Sequence, residues 1–205
     1  MTRSDSPLIR QSLLGLLGLV GLSVSCSSNA SEMDPHGMDA MQPQGVEEAF
    51  VYSLPASLPI RNFLPITERV AGGGPPSPAT IAEMKSLGYS TIINMRTMAE
   101  AGVAEEAALA KAAGLHYVHI PIGGTTANMR NALALSQALE EAPEGQILLH
   151  CGSGNRVGAM WGLKEAIEHG LDQDHAAEVA RRSGMRSDRL ESAVRSSVTS
   201  ANTHN

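Results

Sequence analysis

His150-Cys151-Gly152-Ser153-Gly154-Asn155-Arg156-Val157-Gly158 is the stretch on which the reading of this chain turns. It follows Gln146-Ile147-Leu148-Leu149, a short apolar strand, and runs into helical spacing from Gly154 to Glu168. Each part has a physical use. Small residues let successive backbone N–H groups turn inward and form an anion-binding concavity. The start of the following helix adds N–H groups without partners and the positive end of its dipole. The Arg156 guanidinium presents a planar fork that suits two oxygens of a phosphate-like oxyanion. The same positive field favours the thiolate of Cys151, the nucleophilic form. An inert buried cysteine before a tight turn would need neither the two glycines nor the arginine. Cys151 and Arg156 are therefore the candidate catalytic residues. Gly152, Ser153, Gly154 and Asn155 are candidate substrate-binding positions, and His150 is a supporting residue.

Outward from this loop, strands and helices alternate. Asn62-Phe63-Leu64-Pro65 leads into the short strand Arg69-Val70-Ala71, and Phe50-Val51-Tyr52 is also strand-like. Gly72 to Pro78 reads as a break with strong turn chemistry. Its three glycines are followed by no Gly-Lys-Ser or Gly-Lys-Thr, so a loop is preferred to a phosphate-binding motif. Ser77 as cap and Pro78 in the first turn start a helix through Leu87, which Gly88 ends. Thr91 to Met95 is a buried-strand run, and an Ala/Glu-rich helix spans about 103–113. Tyr117 to Ile120 forms the next strand, halted by Pro121. Asn128 to Glu141 is amphipathic, with Leu133, Leu135 and Leu139 near one face. Asp172 caps a further helix to about Arg182. Strands separated by helices of this length predict an α/β fold with a mostly parallel central sheet flanked by helices. Ligands in such sheets bind at the carboxyl ends of the strands, where the cysteine loop lies.

His-Cys, a small-residue loop and Arg after a parallel strand resemble the signature of the cysteine-dependent protein tyrosine and dual-specificity phosphatase superfamily. Two other segments extend the likeness over residues 46–185. Ser90-Thr91-Ile92-Ile93-Asn94-Met95-Arg96 is similar to that superfamily's early strand, and Gly114 to Ile122 is similar to its strand ahead of the acid loop. The nearest likeness is to the bacterial beta-lactamase-hydrolase-like phosphatase-like domain, whose members are sometimes labelled sulfurtransferases. The resemblance implies a phosphocysteine on Cys151, with Arg156 and the N–H groups of residues 152–156 holding the phosphoryl oxygens. His150 either orients the loop through hydrogen bonds, as the resemblance implies, or is a structural histidine at the strand end.

Three positions depart from the superfamily's pattern. Four residues separate Cys151 from Arg156 where phosphatases have five, and four is the spacing of rhodanese-type sulfurtransferases. Val157 stands where a Ser or Thr would support the leaving thiolate. Gly123-Gly124-Thr125-Thr126 replaces the loop that normally carries an Asp general acid. Glu100, Glu105 and Glu106 are the carboxylates available as substitutes, against the plainer expectation of a solvated helix face. Arg96 either reaches the pocket or pairs with a helix carboxylate. His116 and His119 lack a further ligand at metal spacing, so no metal or other cofactor is expected.

The composition fits this reading. The chain has 205 residues, 15 Lys and Arg against 21 Asp and Glu, a net charge of -6 and only 3% aromatics. That acidic balance argues against a nucleic-acid partner and gives no reason to expect a polyanionic one. Arg181, Arg182, Arg186 and Arg189 read as a solvated helix and loop. Few rings are present to grip phosphotyrosine by stacking.

Arg3 and Arg10 precede an apolar run from Leu13 to Leu22, too short to span a bilayer. Residues 1–25 therefore read as an export signal, and Leu22-Ser23-Val24-Ser25-Cys26 resembles a bacterial lipobox. Ser23 holds the place where a lipobox prefers Leu. Cys26 is the expected lipidation site, anchoring an exported protein to a membrane of the periplasm or cell envelope. Cleavage after Ala30, giving a soluble secreted protein, is the alternative. Residues 26–45 are a flexible linker, in which Met33, His36, Met38 and Met41 fit no defined copper site. The domain proper occupies 46–200. With one cysteine lipidated and the other catalytic, no disulfide is expected.

These features predict an exported phosphomonoester hydrolase with a small phosphorylated or oxyanion substrate. The alternatives are a sulfurtransferase using a Cys151 persulfide and a catalytically weak anion-binding envelope module.

Overall fold

The computed structural model describes residues 53–123 and 127–202. The export signal, Cys26, the linker and the strand expected at 50–52 lie outside the described residues. Five strands form one sheet: β1 (Leu64–Pro65), β2 (Val70–Gly73), β3 (Tyr89–Asn94), β4 (His116–His119) and β5 (Gln146–His150). Their order is β1-β2-β5-β3-β4, with β1 antiparallel to β2 and every other pairing parallel. The helices are α1 (Pro78–Met84), α2 (Val103–Ala112), α3 (Met129–Glu140), α4 (Asn155–His169), α5 (Gln173–Arg182) and α6 (Asp188–Asn202).

Because successive side chains of a strand point to opposite faces, a central parallel strand must be apolar at every position. Ile92 and Leu148 enter the core beneath α1 and α2, together with Ile81, Met84 and Ala110. Their neighbours Ile93, Ile147 and Leu149 enter the opposite core, with Leu135, Val157, Leu163 and Leu190 of α3, α4 and α6. The result is three layers with β5 at the centre, so its carboxyl end opens between β2 and β3.

Three expectations are corrected in detail. Gly72 and Gly73 do not break the chain; they finish β2, pairing with Leu149 and His150. Their lack of side chains answers to space: a Cβ at Gly72 would lie 2.9 Å from Val157 Cγ1, and one at Gly73 2.7 Å from Ile60 Cδ1. The Ser77 hydroxyl caps α1 by accepting from Thr80 N–H, but the regular helix stops at Met84, short of Leu87. Arg186 stands just before α6 and Arg189 lies in its first turn; α6 is a full helix whose Leu190, Val194 and Val198 are buried at four-residue spacing. Helix α4 meets α5 through Gly158 and Gly162, where an added Cβ would come within 2.5 Å of the Ala180 and Ala176 carbonyl oxygens, respectively.

Candidate active site

Strand β5 ends at His150 and leads directly into Cys151, whose N–H donates to the Gly73 carbonyl at 3.2 Å. Its side chain is buried, and the thiol is free. The chain then turns through Gly152 and Ser153 to Gly154, which sits at φ +85° immediately before α4. That left-handed conformation strains any residue with a Cβ. It aims the Gly154 N–H at the Cys151 Sγ, 3.1 Å away. The N–H groups of Gly152 and Ser153 have no protein acceptor among the described residues. The loop thus leaves N–H groups without acceptors among the described residues at the positive end of a 15-residue helix, an arrangement suited to an anion.

Neighbouring segments tie the loop down. Asn62 Nδ2 donates to the Ser153 carbonyl at 3.0 Å. Asn155 Nδ2 donates to Ser153 Oγ at 3.1 Å, while its Oδ1 accepts the Arg186 N–H at 2.6 Å. Asn155 is therefore a brace between the loop and the segment before α6. Val157 is buried against β2, so no hydroxyl supports the sulfur from that position, and the Gly154 N–H donates to it instead.

Arg156 closes over Gly152, where an added Cβ would lie 3.2 Å from Nη2. Its end-on fork is taken by Glu100: Nη1 donates to Oε1 at 2.6 Å and Nη2 to Oε2 at 2.7 Å. Nη1 also donates to the carbonyls of Ile122 at 2.9 Å and Met95 at 3.2 Å. The adjacent edge, Nε and the second Nη2 hydrogen, makes no further hydrogen bond to an oxygen among the described residues. Hydrogen bonds to Glu100 hold the guanidinium firmly protonated, with a further contribution from the Cys151 sulfur. Those same bonds from Arg156, with the Thr97 N–H, lower Glu100 to about 2. At neutral pH Glu100 is a carboxylate, not a proton donor.

Behind the loop lies a second, buried network. Glu106 is 2% exposed and accepts from Asn94 Nδ2 at 2.9 Å, Arg96 Nη2 at 2.6 Å and His150 Nε2 at 2.7 Å. Asn94 Nδ2 also donates to Tyr117 Oη, and burial raises that phenol. Of the three carboxylates considered as substitute acids, Glu105 is exposed as expected of a helix face, whereas Glu100 and Glu106 are each claimed by an arginine. Arg96 resolves to the partner of a helix carboxylate. His150 lies behind the loop: its ring anchors the end of β5 to Glu106, and its buried Nδ1 has no partner among the described residues. His119 Nε2 contacts the Arg96 carbonyl at 2.7 Å, and His116 is exposed on the edge strand.

The family model described as the beta-lactamase hydrolase-like protein, phosphatase-like domain, matches residues 62–168, more than half of the chain. The chain belongs to this family. The "Beta-lactamase hydrolase-like protein" of Xylella fastidiosa is 32% identical over 123 residues, which make up 58% of this chain and 28% of that relative. The chain therefore spans less than a third of that relative's length. Among solved structures, P. aeruginosa TpbA in complex with phosphotyrosine has a TM-score of 0.55 and 20% identity, covering 76% of this chain and 97% of its own. Kinase associated phosphatase has a TM-score of 0.57 and 14% identity, covering 73% and 99%. These structural likenesses show the fold of the protein tyrosine and dual-specificity phosphatases for this phosphatase-like domain.

Proposed function

We propose that this phosphatase-like domain is a cysteine-dependent hydrolase of a phosphate monoester. The observation that carries the reading is the buried Cys151 Sγ held by the Gly154 N–H, inside a loop whose other N–H groups and one arginine edge are open to an oxyanion. The thiolate attacks phosphorus, an S–P bond forms, and the ester P–O bond breaks with release of the alkoxide or phenoxide. Water then attacks phosphorus, the S–P bond breaks, and inorganic phosphate and the thiolate are regenerated. Open loop N–H groups and Arg156 serve the charge that builds on the equatorial oxygens. The phosphotyrosine held by TpbA supports a small phosphorylated substrate.

With Glu100 ionised, nothing identified in the site hands a proton to the leaving oxygen, a service generally worth about a hundred- to ten-thousand-fold in rate. Substrates with acidic leaving groups are accordingly favoured. The four-residue gap between Cys151 and Arg156 favours a second reading, sulfur transfer through a Cys151 persulfide. Export with a lipid on Cys26 remains our proposal for where the domain works, and Cys26→Ala is expected to move the protein from membrane to soluble fractions. Unchanged fractionation would remove the anchor.

Assays of aryl-phosphate hydrolysis and of thiosulfate-to-cyanide transfer, each beside Cys151→Ser, decide the chemistry. Phosphate release that falls to background in the Ser variant is expected. Release that survives the substitution overturns the mechanism, and activity with thiosulfate alone replaces it by sulfur transfer.

A further inference from the structure

The acidic composition hides an uneven distribution of positive charge. Arg96, Arg156, Arg181, Arg182 and Arg195 are each ion-paired to a carboxylate. Arg61, Arg186 and Arg189 form no ion pair among the described residues and stand around the cysteine loop; Arg69, held by the carbonyls of Ala142, Pro143 and Gly145, and Arg130 on α3 also form none and lie elsewhere. Arg61 lies beside Gly74, where an added Cβ would be 3.1 Å from Arg61 Cβ and 3.6 Å from the Gly152 carbonyl oxygen. Arg186 donates its backbone N–H to Asn155 of the loop, and its Nη1 meets only the carbonyls of Arg181 and Met185.

Arg189 is the most telling of the three. It lines a cavity of about 420 Å³ together with Thr97, Glu100, Asn155, Arg156 and Ser187. Its guanidinium has neither a carboxylate nor a carbonyl partner among the described residues. None of the neighbouring carboxylates pairs with it. Both Glu100 oxygens accept from Arg156, Glu191 serves Arg181 and Arg195, and Asp188 forms no pair with it. A net-acidic protein that leaves a cation uncompensated in the same cavity as the candidate phosphate-binding arginine attracts an anion there. Among the described residues the cavity has no aromatic lining, so nothing described there stacks on a tyrosine ring.

We propose that Arg189 holds a second anionic group of the substrate, so that the preferred substrates are small phosphomonoesters carrying another phosphate or a carboxylate. The inference rests on the phosphatase reading for its substrate class. It departs from the expectation, drawn from net charge, that no polyanionic ligand is favoured. The scissile phosphate occupies the Cys151–Arg156 loop, and the second anion sits across the cavity on Arg189.

Steady-state kinetics of the full chain with phenyl phosphate, 4-carboxyphenyl phosphate and 1,3-phenylene bisphosphate test this. The wild type is expected to show a lower KM for the two doubly functional probes. Arg189→Ala should reduce that preference roughly tenfold, a common size for one charge-assisted contact. Arg189→Lys should keep most of it, and Arg130→Ala, on α3 and outside this cavity, should keep all of it. The carboxylate and bisphosphate arms separate the two kinds of second anion. No preference in the wild type, or an unchanged preference in Arg189→Ala, overturns the proposal. Should the wild type hydrolyse none of the probes, the phosphatase reading fails by itself. The subsite is then read by calorimetry on Cys151→Ser: tighter binding of the bisphosphate that Arg189→Ala removes supports it, and equal affinities overturn it.

Discussion

Arg96–Glu106 and Arg156–Glu100 are both arginine–carboxylate contacts of 2.6 Å, yet their surroundings differ. The first is shut inside the protein, with side chains 7% and 3% exposed; the second stands at the mouth of the cysteine loop, 14% and 33% exposed. Glu106 is surrounded by three side-chain donors, and Arg96 is fixed further by the Ala101 carbonyl and by Asn94. Such a cluster has one arrangement. Arg156 instead binds Glu100 through one edge, and in the function proposed above its other edge takes an oxyanion. The same residue pair is closed off from solvent in one place and partly open to it in the other, and on the proposed function only the open one meets ligand charge.

The largest effect should come from the closed pair. Removing one partner of a buried pair leaves an uncompensated charge, which commonly costs about 3–5 kcal/mol. Glu106→Ala is expected to lower unfolding free energy by that amount in a denaturant titration, with activity lost in proportion to folded protein. A loss under about 1 kcal/mol would mean the two pairs are not different in kind. Next in size, Arg156→Lys keeps the charge and loses the fork. Aryl-phosphate kcat/KM should fall about a hundredfold while stability stays within about 1 kcal/mol. A stability loss matching that of Glu106→Ala would erase the contrast.

How far each region is legible in the sequence follows the same division. The strand–cysteine–loop–helix unit is local, and its residues write their roles in consecutive order. The central strands are legible because burial on both faces demands unbroken apolar runs such as Ile92-Ile93 and Ile147-Leu148-Leu149. Gly72 and Gly73 mislead because glycine ordinarily signals a turn, whereas here it makes room for Val157 and Ile60, distant in sequence. Helix α6 carried a readable signal in Leu190, Val194 and Val198, masked by the polar and charged residues between them. The duties of Glu100 and Glu106 are not local. They depend on Arg156, 56 residues away, and on His150, 44 residues away, and no spacing rule reports such partners.

The smallest effect concerns Glu100, and its sign can be worked out. Its folded value is lowered to about 2 from 4.5, so the pair's stabilisation is fully present above about pH 5 and is lost as pH falls through about 2. Because the carboxylate is a third exposed, solvent screening holds that contribution to about 1 kcal/mol. Glu100→Gln should therefore be about 1 kcal/mol less stable than wild type at pH 7, and the two stability curves should converge as the titration approaches pH 2. A difference that stays constant across that range would mean that the Glu100 charge contributes nothing. Kinetics complete the comparison. An ionised Glu100 donates no proton, so Glu100→Gln should leave the dependence of kcat/KM on leaving-group acidity unchanged. A steeper dependence in the variant would make Glu100 the missing acid and its bond to Arg156 a resting state that substrate breaks.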